Sequence, residues 1–150
     1  MSQVGDILSE IQAHVIADTS VDFDEHRVFL RYPDPREARQ KPVLFIFPAA
    51  PRISRRADDI IRRTLPIGIF VLITLDEGNE AEEVTQLWDA YEPIQASLEK
   101  LTINRMAKAK TFKEDDDGPH PFGVENNDNL IGLLSSWTAE YERNRATTGA

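Results

Sequence analysis

The sequence predicts an α/β (α+β) fold, in which a mixed or mainly antiparallel central sheet carries an N-terminal helix and a long middle helix. Three observations lead there. Residues 3–17 and 80–101 each show one apolar stripe at helical spacing. Residues 42–48 and 67–75 are apolar runs rich in β-branched and aromatic side chains, each beginning at or just after a proline. The chain has 150 residues, enough for one domain that buries roughly 68–70% of its unfolded surface. One domain is therefore expected over residues 1–143, with a flexible tail at 144–150.

In the first helix, Val4, Ile7, Leu8, Ile11 and Val15 recur at spacings of three and four and share a face. Ser2 is placed to cap its start. Asp18, Thr19 and Ser20 end it, because their side chains compete for backbone hydrogen bonds. Residues 28–31 make a short strand. Tyr32, Pro33, Asp34 and Pro35 make a turn, since each proline fixes its own φ and restrains the residue before it. Residues 42–48 (PVLFIFP) read as a strand buried on both faces or at the sheet centre. Residues 49–64 read as a basic loop with a short helical turn near 55–61. Pro66 opens the second strand, 67–75, which runs into the turn residues Asp76, Glu77, Gly78 and Asn79. The two strands are expected as antiparallel neighbours.

The strongest helix is 80–101, where Val84, Leu87, Trp88, Tyr91, Ile94, Leu98 and Leu101 mark one stripe. Glu80, Glu82 and Glu83 crowd its first turns and Lys100 its last, as the helix dipole favours. Pro93 is expected to kink it near Asp89–Ala90 or split it. Residues 113–129 read as a long acidic loop. Residues 130–143 fit two periods. Leu130, Leu134, Trp137 and Tyr141 satisfy a helix, while Ile131, Leu133, Ser135, Trp137, Ala139 and Tyr141 satisfy a strand, the preferred reading. No internal repeat is visible.

Charge excludes some functions. The chain carries 17 Lys+Arg against 26 Asp+Glu, a net −9, which argues against general nucleic-acid binding. It has no cysteine, so disulfides, thiolate metal sites and cysteine nucleophiles are absent, as suits a reducing compartment. The run 67–75 is broken by Gly68 and Thr74 and is far short of the ~20 residues that span a bilayer. Asp6 and Glu10 stand where a secretory signal would be basic, so none is expected.

The total charge hides an alternation of blocks. Residues 1–25 hold six acids and no Lys or Arg; residues 36–63 sum to +5; residues 76–92 hold seven acids and no base; residues 93–112 sum to +3; residues 113–128 sum to −5. Such blocks are ordinarily solvated faces. They also suit a self-complementary surface that brings like subunits together head to tail, and a head-to-tail contact that closes makes a ring.

Catalytic and metal chemistry finds little support. Glu114, Asp115, Asp116 and Asp117 lack calcium-loop spacing and read as a solvated loop. His14, His26 and His120 are isolated, and no His-x-x-x-His pair exists. There is no Gly-x-Ser-x-Gly elbow and no phosphate-binding glycine loop. The expectation is no enzyme, no cofactor and no metal. The arginines Arg52, Arg55, Arg56, Arg62 and Arg63 are the main feature. On a helical turn, Arg52, Arg55 and Arg56 would share a face. Three readings stand: a solvated face, phosphate contact, or docking to an acidic surface of a neighbouring copy, with Glu80, Glu82 and Glu83 the leading acceptors. No aromatics interleave with them, which weakens single-strand binding by stacking.

The order of these elements carries a resemblance. A helix leads through a proline-rich turn to the proline-bounded strand 42–48; an arginine segment and the strand 68–75 follow; after an acidic turn comes a helix with Leu87, Trp88, Tyr91 and Ile94; Glu140, Tyr141, Glu142 and Arg143 close a late segment. This layout resembles the tail terminator (tail completion, head–tail junction) proteins of long-tailed bacteriophages, over about residues 3–143. The resemblance implies a compact domain that forms a homo-oligomeric, hexameric ring. Such a ring caps the tail tube and stops its polymerisation. Its partners would be the major tail tube protein and the head–tail connector protein, with DNA only as passing genome and no membrane. The location would be the virion, after assembly in the host cytoplasm. The family brings no catalytic residues. The competing readings are another neck or tail-tube component, and a small adaptor that binds an acidic partner through the arginine segment.

Overall fold

The computed structural model describes residues 2–39, 41–56, 60–74, 80–124 and 127–144. The elements are α1 (Gln3–Ala17), β1 (Val28–Phe29), β2 (Val43–Pro48), β3 (Arg52–Arg56), β4 (Ile60–Thr74), α2 (Glu80–Asn104), β5 (Thr111–Glu114), β6 (His120–Val124) and β7 (Asn127–Asn144), with 3₁₀ turns at Glu25–Arg27 and Pro35–Glu37. The strands form one seven-stranded mixed sheet in the order β1-β2-β4-β7-β5. β3 follows β2 along one edge of β4, and β6 lies beside β5 along the outer edge of β7. β1 runs parallel to β2, and the remaining pairs described are antiparallel. Both helices pack on this sheet, as the sequence predicts.

α1 begins where expected: the Ser2 hydroxyl accepts from the Gly5 N–H at 3.0 Å. It buries Ile7, Leu8, Ile11 and Val15. α2 buries Leu87, Tyr91, Ile94, Leu98 and Leu101, with Trp88 half-buried against the same core. Pro93 neither splits α2 nor ends it; the helix is continuous to Asn104. The proline removes one intrahelical donor, that for the Asp89 carbonyl. Burial of Tyr91 and Ile94 on either side holds the turn in place.

The sheet is apolar on both faces, which explains the unbroken runs in β2 and β4. Leu44, Ile46, Leu65, Ile67, Ile69, Val71, Ile73, Leu133, Trp137 and Ala139 face the helices. Val43, Phe45, Phe70, Leu72 and Leu130 form a second cluster on the other face, joined by Phe29, Ala38, Phe47 and Leu134. Two glycines make room there. A Cβ on Gly68 would sit 2.2 Å from the Phe47 ring, and one on Gly132 would sit 2.2 Å from the Phe70 ring.

Three expectations are corrected. Residues 49–64 are not a loop with a helical turn: β3 and the first part of β4 pair there as antiparallel strands. Pro66 does not open the strand, which starts at Ile60. The Pro66 carbonyl accepts from the Ala49 N–H at 2.8 Å. In a strand a residue's N–H and C=O point to the same side, so the missing donor faces the gap between β2 and β3 and the ladder to β7 is intact. The acidic loop 113–129 is largely strand: β5 ends at Glu114 and β6 spans His120–Val124, both added to β7. The ambiguous segment 130–143 is a strand, part of β7, and pairs with β4 over fifteen positions from Ile60↔Asn144 to Thr74↔Leu130. The expected turn at 76–79 lies outside the described residues, as does the expected tail apart from Asn144, which ends β7.

Candidate interaction surface

The arginine segment stands at one end of the sheet. The core takes no residue of β4 before Leu65. Ahead of it, Arg52 pairs with Thr64, Ile53 with Arg63, Arg55 with Arg62 and Arg56 with Ile61, with a bulge between Ile53 and Arg55. Strand alternation therefore puts Arg62 on the face away from the helices and Arg63 on the helix face. Arg62 and Arg63 thus do not share a face. Arg55 is the register partner of Arg62, but the side chains of Arg55 and Arg56 lie outside the described residues. Glu142, opposite Arg62 on β7, carries the counter-charge: its Oε1 lies 2.9 Å from Arg62 Nη2 and 2.8 Å from Lys110 Nζ. The Lys110 and Arg62 contacts hold the Glu142 carboxyl below its usual range. Arg52 is exposed, and so are the apolar Ile53 and Ile60, at 45% and 42%. The Nε of Arg63 is shielded from solvent and has no hydrogen-bond partner among the described residues.

The acidic candidates stand elsewhere. Glu80, Glu82 and Glu83 begin α2, six to nine positions after the end of β4 at Thr74; their side chains lie outside the described residues. β4 has fifteen residues, so its two ends are about 45–50 Å apart at ~3.3 Å per residue. Basic hairpin and acidic helix start are thus at opposite ends of the longest strand pair. The structure does not bring them together within one chain.

The second acidic cluster is divided by its hydrogen bonds. Glu114 is drawn under α2, accepting from the Tyr91 hydroxyl and from Gln95 Nε2, each at 2.6 Å. Burial, and then the Glu114 carboxylate it donates to, push the Tyr91 phenol well above its ordinary range, so it stays protonated. The Asp115 carboxylate accepts from the Thr138 hydroxyl at 2.6 Å. Asp116 and Asp117 are exposed. Sequence reasoning grouped these four acids and missed that two of them serve the fold.

The histidines lie on separate elements. His14 Nε2 is 2.8 Å from the Ser97 carbonyl, which only accepts, so this nitrogen carries the proton and ties α1 to α2. His26 is in an exposed turn beside Glu25, and His120 is exposed on β6. Among the described residues, no group of three or more His, Asp or Glu side chains is placed to hold a metal ion. No helix is long and apolar enough to cross a membrane, again among the described residues.

Clefts open at several places among the described residues, and one of 330 Å³ is lined by Lys113, Glu114, Asp115, Asp116 and Asp117. Two more lie at α2 and β5. One, of 260 Å³, opens between α2 at Gln86, Asp89 and Pro93 and the segment bearing Asp22, Phe23 and Arg27. Arg27 is buried there, with its guanidinium 4.7 Å from the Phe23 ring centroid and one nitrogen donating to the Asp22 carbonyl. Its partners are internal, which makes it an anchor for the chain that follows α1. The other cleft, of 600 Å³, runs along β5 and is lined by residues from Thr102 to Lys113. The sequence matches no model of a known protein family and no curated protein.

Proposed function

We propose that the chain is a structural subunit that assembles head to tail into a closed ring at the end of a bacteriophage tail tube, ending tube growth and joining tail to head. The observation that carries this reading is the polarity of the long strand pair. Arginines and exposed isoleucines gather at one end, outside the core, and the acidic start of α2 stands at the other. Arg62 is paired within the chain by Glu142, and the other charges of the two ends stand too far apart to pair with each other, so like subunits meet basic end to acidic surface. Ile53 and Ile60 offer apolar contact at the same end. A structural role in place of catalysis accords with side-chain clusters whose polar groups are tied up inside the fold, such as Tyr91, Gln95 and Glu114.

Reversal of Arg55 and Arg56 to Glu tests the reading. Assembly followed by light scattering should slow at low salt and lose salt sensitivity, while the monomer stays folded. Equal assembly of both proteins at low salt would leave the arginines as a solvated face. Negative-stain images of the assembled wild type separate a single closed ring from the open tube of a tube subunit.

A further inference from the structure

We infer that the cleft between α2 and the segment after α1 seats an arginine side chain from the β3–β4 hairpin of a second copy of the chain. The inference rests on the head-to-tail reading above and names the acceptor for the basic end. The cleft's 260 Å³ falls short of the ~300–1,000 Å³ usual for small-molecule sites and suits one long side chain. Its walls match the two parts of an arginine. Phe23 and Pro42 are buried, and Ala90 and Pro93 half-buried, so they offer apolar surface to the methylene stem. Asp22 and Asp89 stand exposed at the cleft, and among the described residues neither carboxylate has an ion pair or a hydrogen bond. Pro93 adds an acceptor: it has no N–H for the Asp89 carbonyl, so that oxygen lacks its i+4 donor. These groups only accept, and a guanidinium only donates.

The cations at the site do not reverse its charge. Arg27 is buried, and its guanidinium is engaged by the Phe23 ring, the Asp22 carbonyl and Asp24, 4.0 Å from its Nε. Lys41 is exposed and competes at the rim. Asp24 and Glu25, exposed in the adjoining 3₁₀ turn, join Asp22 and Asp89, so four acids face these two bases. The cleft also lies far from the hairpin of its own chain. Lys41 and Pro42 lead into β2, whose Val43 pairs with Leu72, whereas Arg52 of the hairpin pairs with Thr64. The eight positions between Thr64 and Leu72 span about 26 Å at ~3.3 Å per residue. Hairpin and cleft therefore meet between copies. The acidic start of α2 lies on the same helix as Asp89, about two and a half turns before it. It steers the approach, and the cleft seats the side chain.

The test uses the full chain, with assembly followed by light scattering at low salt. Asp22→Asn with Asp89→Asn keeps the shape of two exposed side chains and removes their charge. It should raise the concentration for half-assembly roughly tenfold, whereas Lys41→Gln should lower it. Circular dichroism checks that each monomer is folded. A charge-swapped chain carries Asp22→Arg and Asp89→Arg together with Arg55→Glu and Arg56→Glu. It should recover the assembly that either half of the swap alone weakens. The inference is overturned if the Asn pair assembles at wild-type concentrations, or if the full swap assembles no better than its halves. Its failure is distinct from that of the ring reading. Asn variants that assemble normally, while reversal of Arg55 and Arg56 impairs assembly, leave the ring with another acceptor. A reversal that assembles as well as wild type removes both.

Discussion

Gly132 shows how one residue sets the outer face of the sheet. The Phe70 ring lies where a Cβ on Gly132 would be, as the Phe47 ring does over Gly68. Gly132→Ala should push the ring out of a packed layer and destabilise by about 1–3 kcal/mol. Urea unfolding measures it, and an unchanged midpoint would contradict the packing. Asp18 offers a pH-dependent counterpart. Its carboxylate accepts from the Ser20 hydroxyl at 2.6 Å and the Ser20 N–H at 3.0 Å, and lies 3.2 Å from Lys100 Nζ. The Ser20 hydroxyl, more than any other contact, holds its carboxyl far below the ordinary range. A carboxyl whose folded pKa is depressed stabilises above its unfolded value, ~3.9, and loses that contribution as pH falls toward the folded value. Wild type should therefore be more stable than Asp18→Asn at pH 7, with the difference shrinking steadily below about pH 4. A difference that stays constant with pH would mean that the charge plays no part.

Within single elements, α2 is where local preference and tertiary packing disagree. Pro93 leaves the Asp89 carbonyl without its intrahelical donor, yet the helix continues because the apolar stripe on both sides is buried. Pro93→Ala restores that bond and should stabilise the protein by up to about 3 kcal/mol. Thermal unfolding checks this, and a loss of stability would show that the ring's own contacts outweigh the missing bond. A second device joins elements that propensity cannot connect. The Glu10 carboxylate accepts from the N–H groups of Ala107 and Lys108, each at 2.8 Å, fastening the turn after α2 to α1. Glu10→Ala should destabilise by roughly 0.5–1.5 kcal/mol, since two exposed hydrogen bonds to a carboxylate are exchanged for bonds to water; urea unfolding measures it.

At the scale of the molecule, stability is unevenly distributed. β4 and β7 pair along fifteen positions, but their central parts are covered on both faces while Ile60–Arg63 lies beyond the core. Native-state hydrogen exchange should be slowest in β4 from residue 67 to 73 and in the facing part of β7, and much faster in β3 and at the start of β4. Uniform protection along β4 would contradict this division. The division also matters for the proposed ring: the charged end can adjust to a neighbour without disturbing the core.

The two helices and the central strands were legible because their patterns are local. The stripes of α1 and α2 and the apolar runs at 43–47 and 67–74 state their own periodicity and burial. The charge blocks were legible too, since charge is counted without geometry. What the sequence left open depended on partners far along the chain. The arginine segment looked like a loop because Arg62 becomes a strand residue only when Glu142, eighty positions on, lies beside it with Lys110. The acidic segment looked like a loop because β5 and β6 are strands only by virtue of the long edge of β7. Glu114 looked like part of a solvated acidic run, but Tyr91 and Gln95, 23 and 19 positions earlier, hold it under α2. Local pattern determines where apolar surface must be hidden. Long-range pairing decides which polar segments become strands, and which charges, such as Glu142 with Arg62 and Lys110, are paired within the chain.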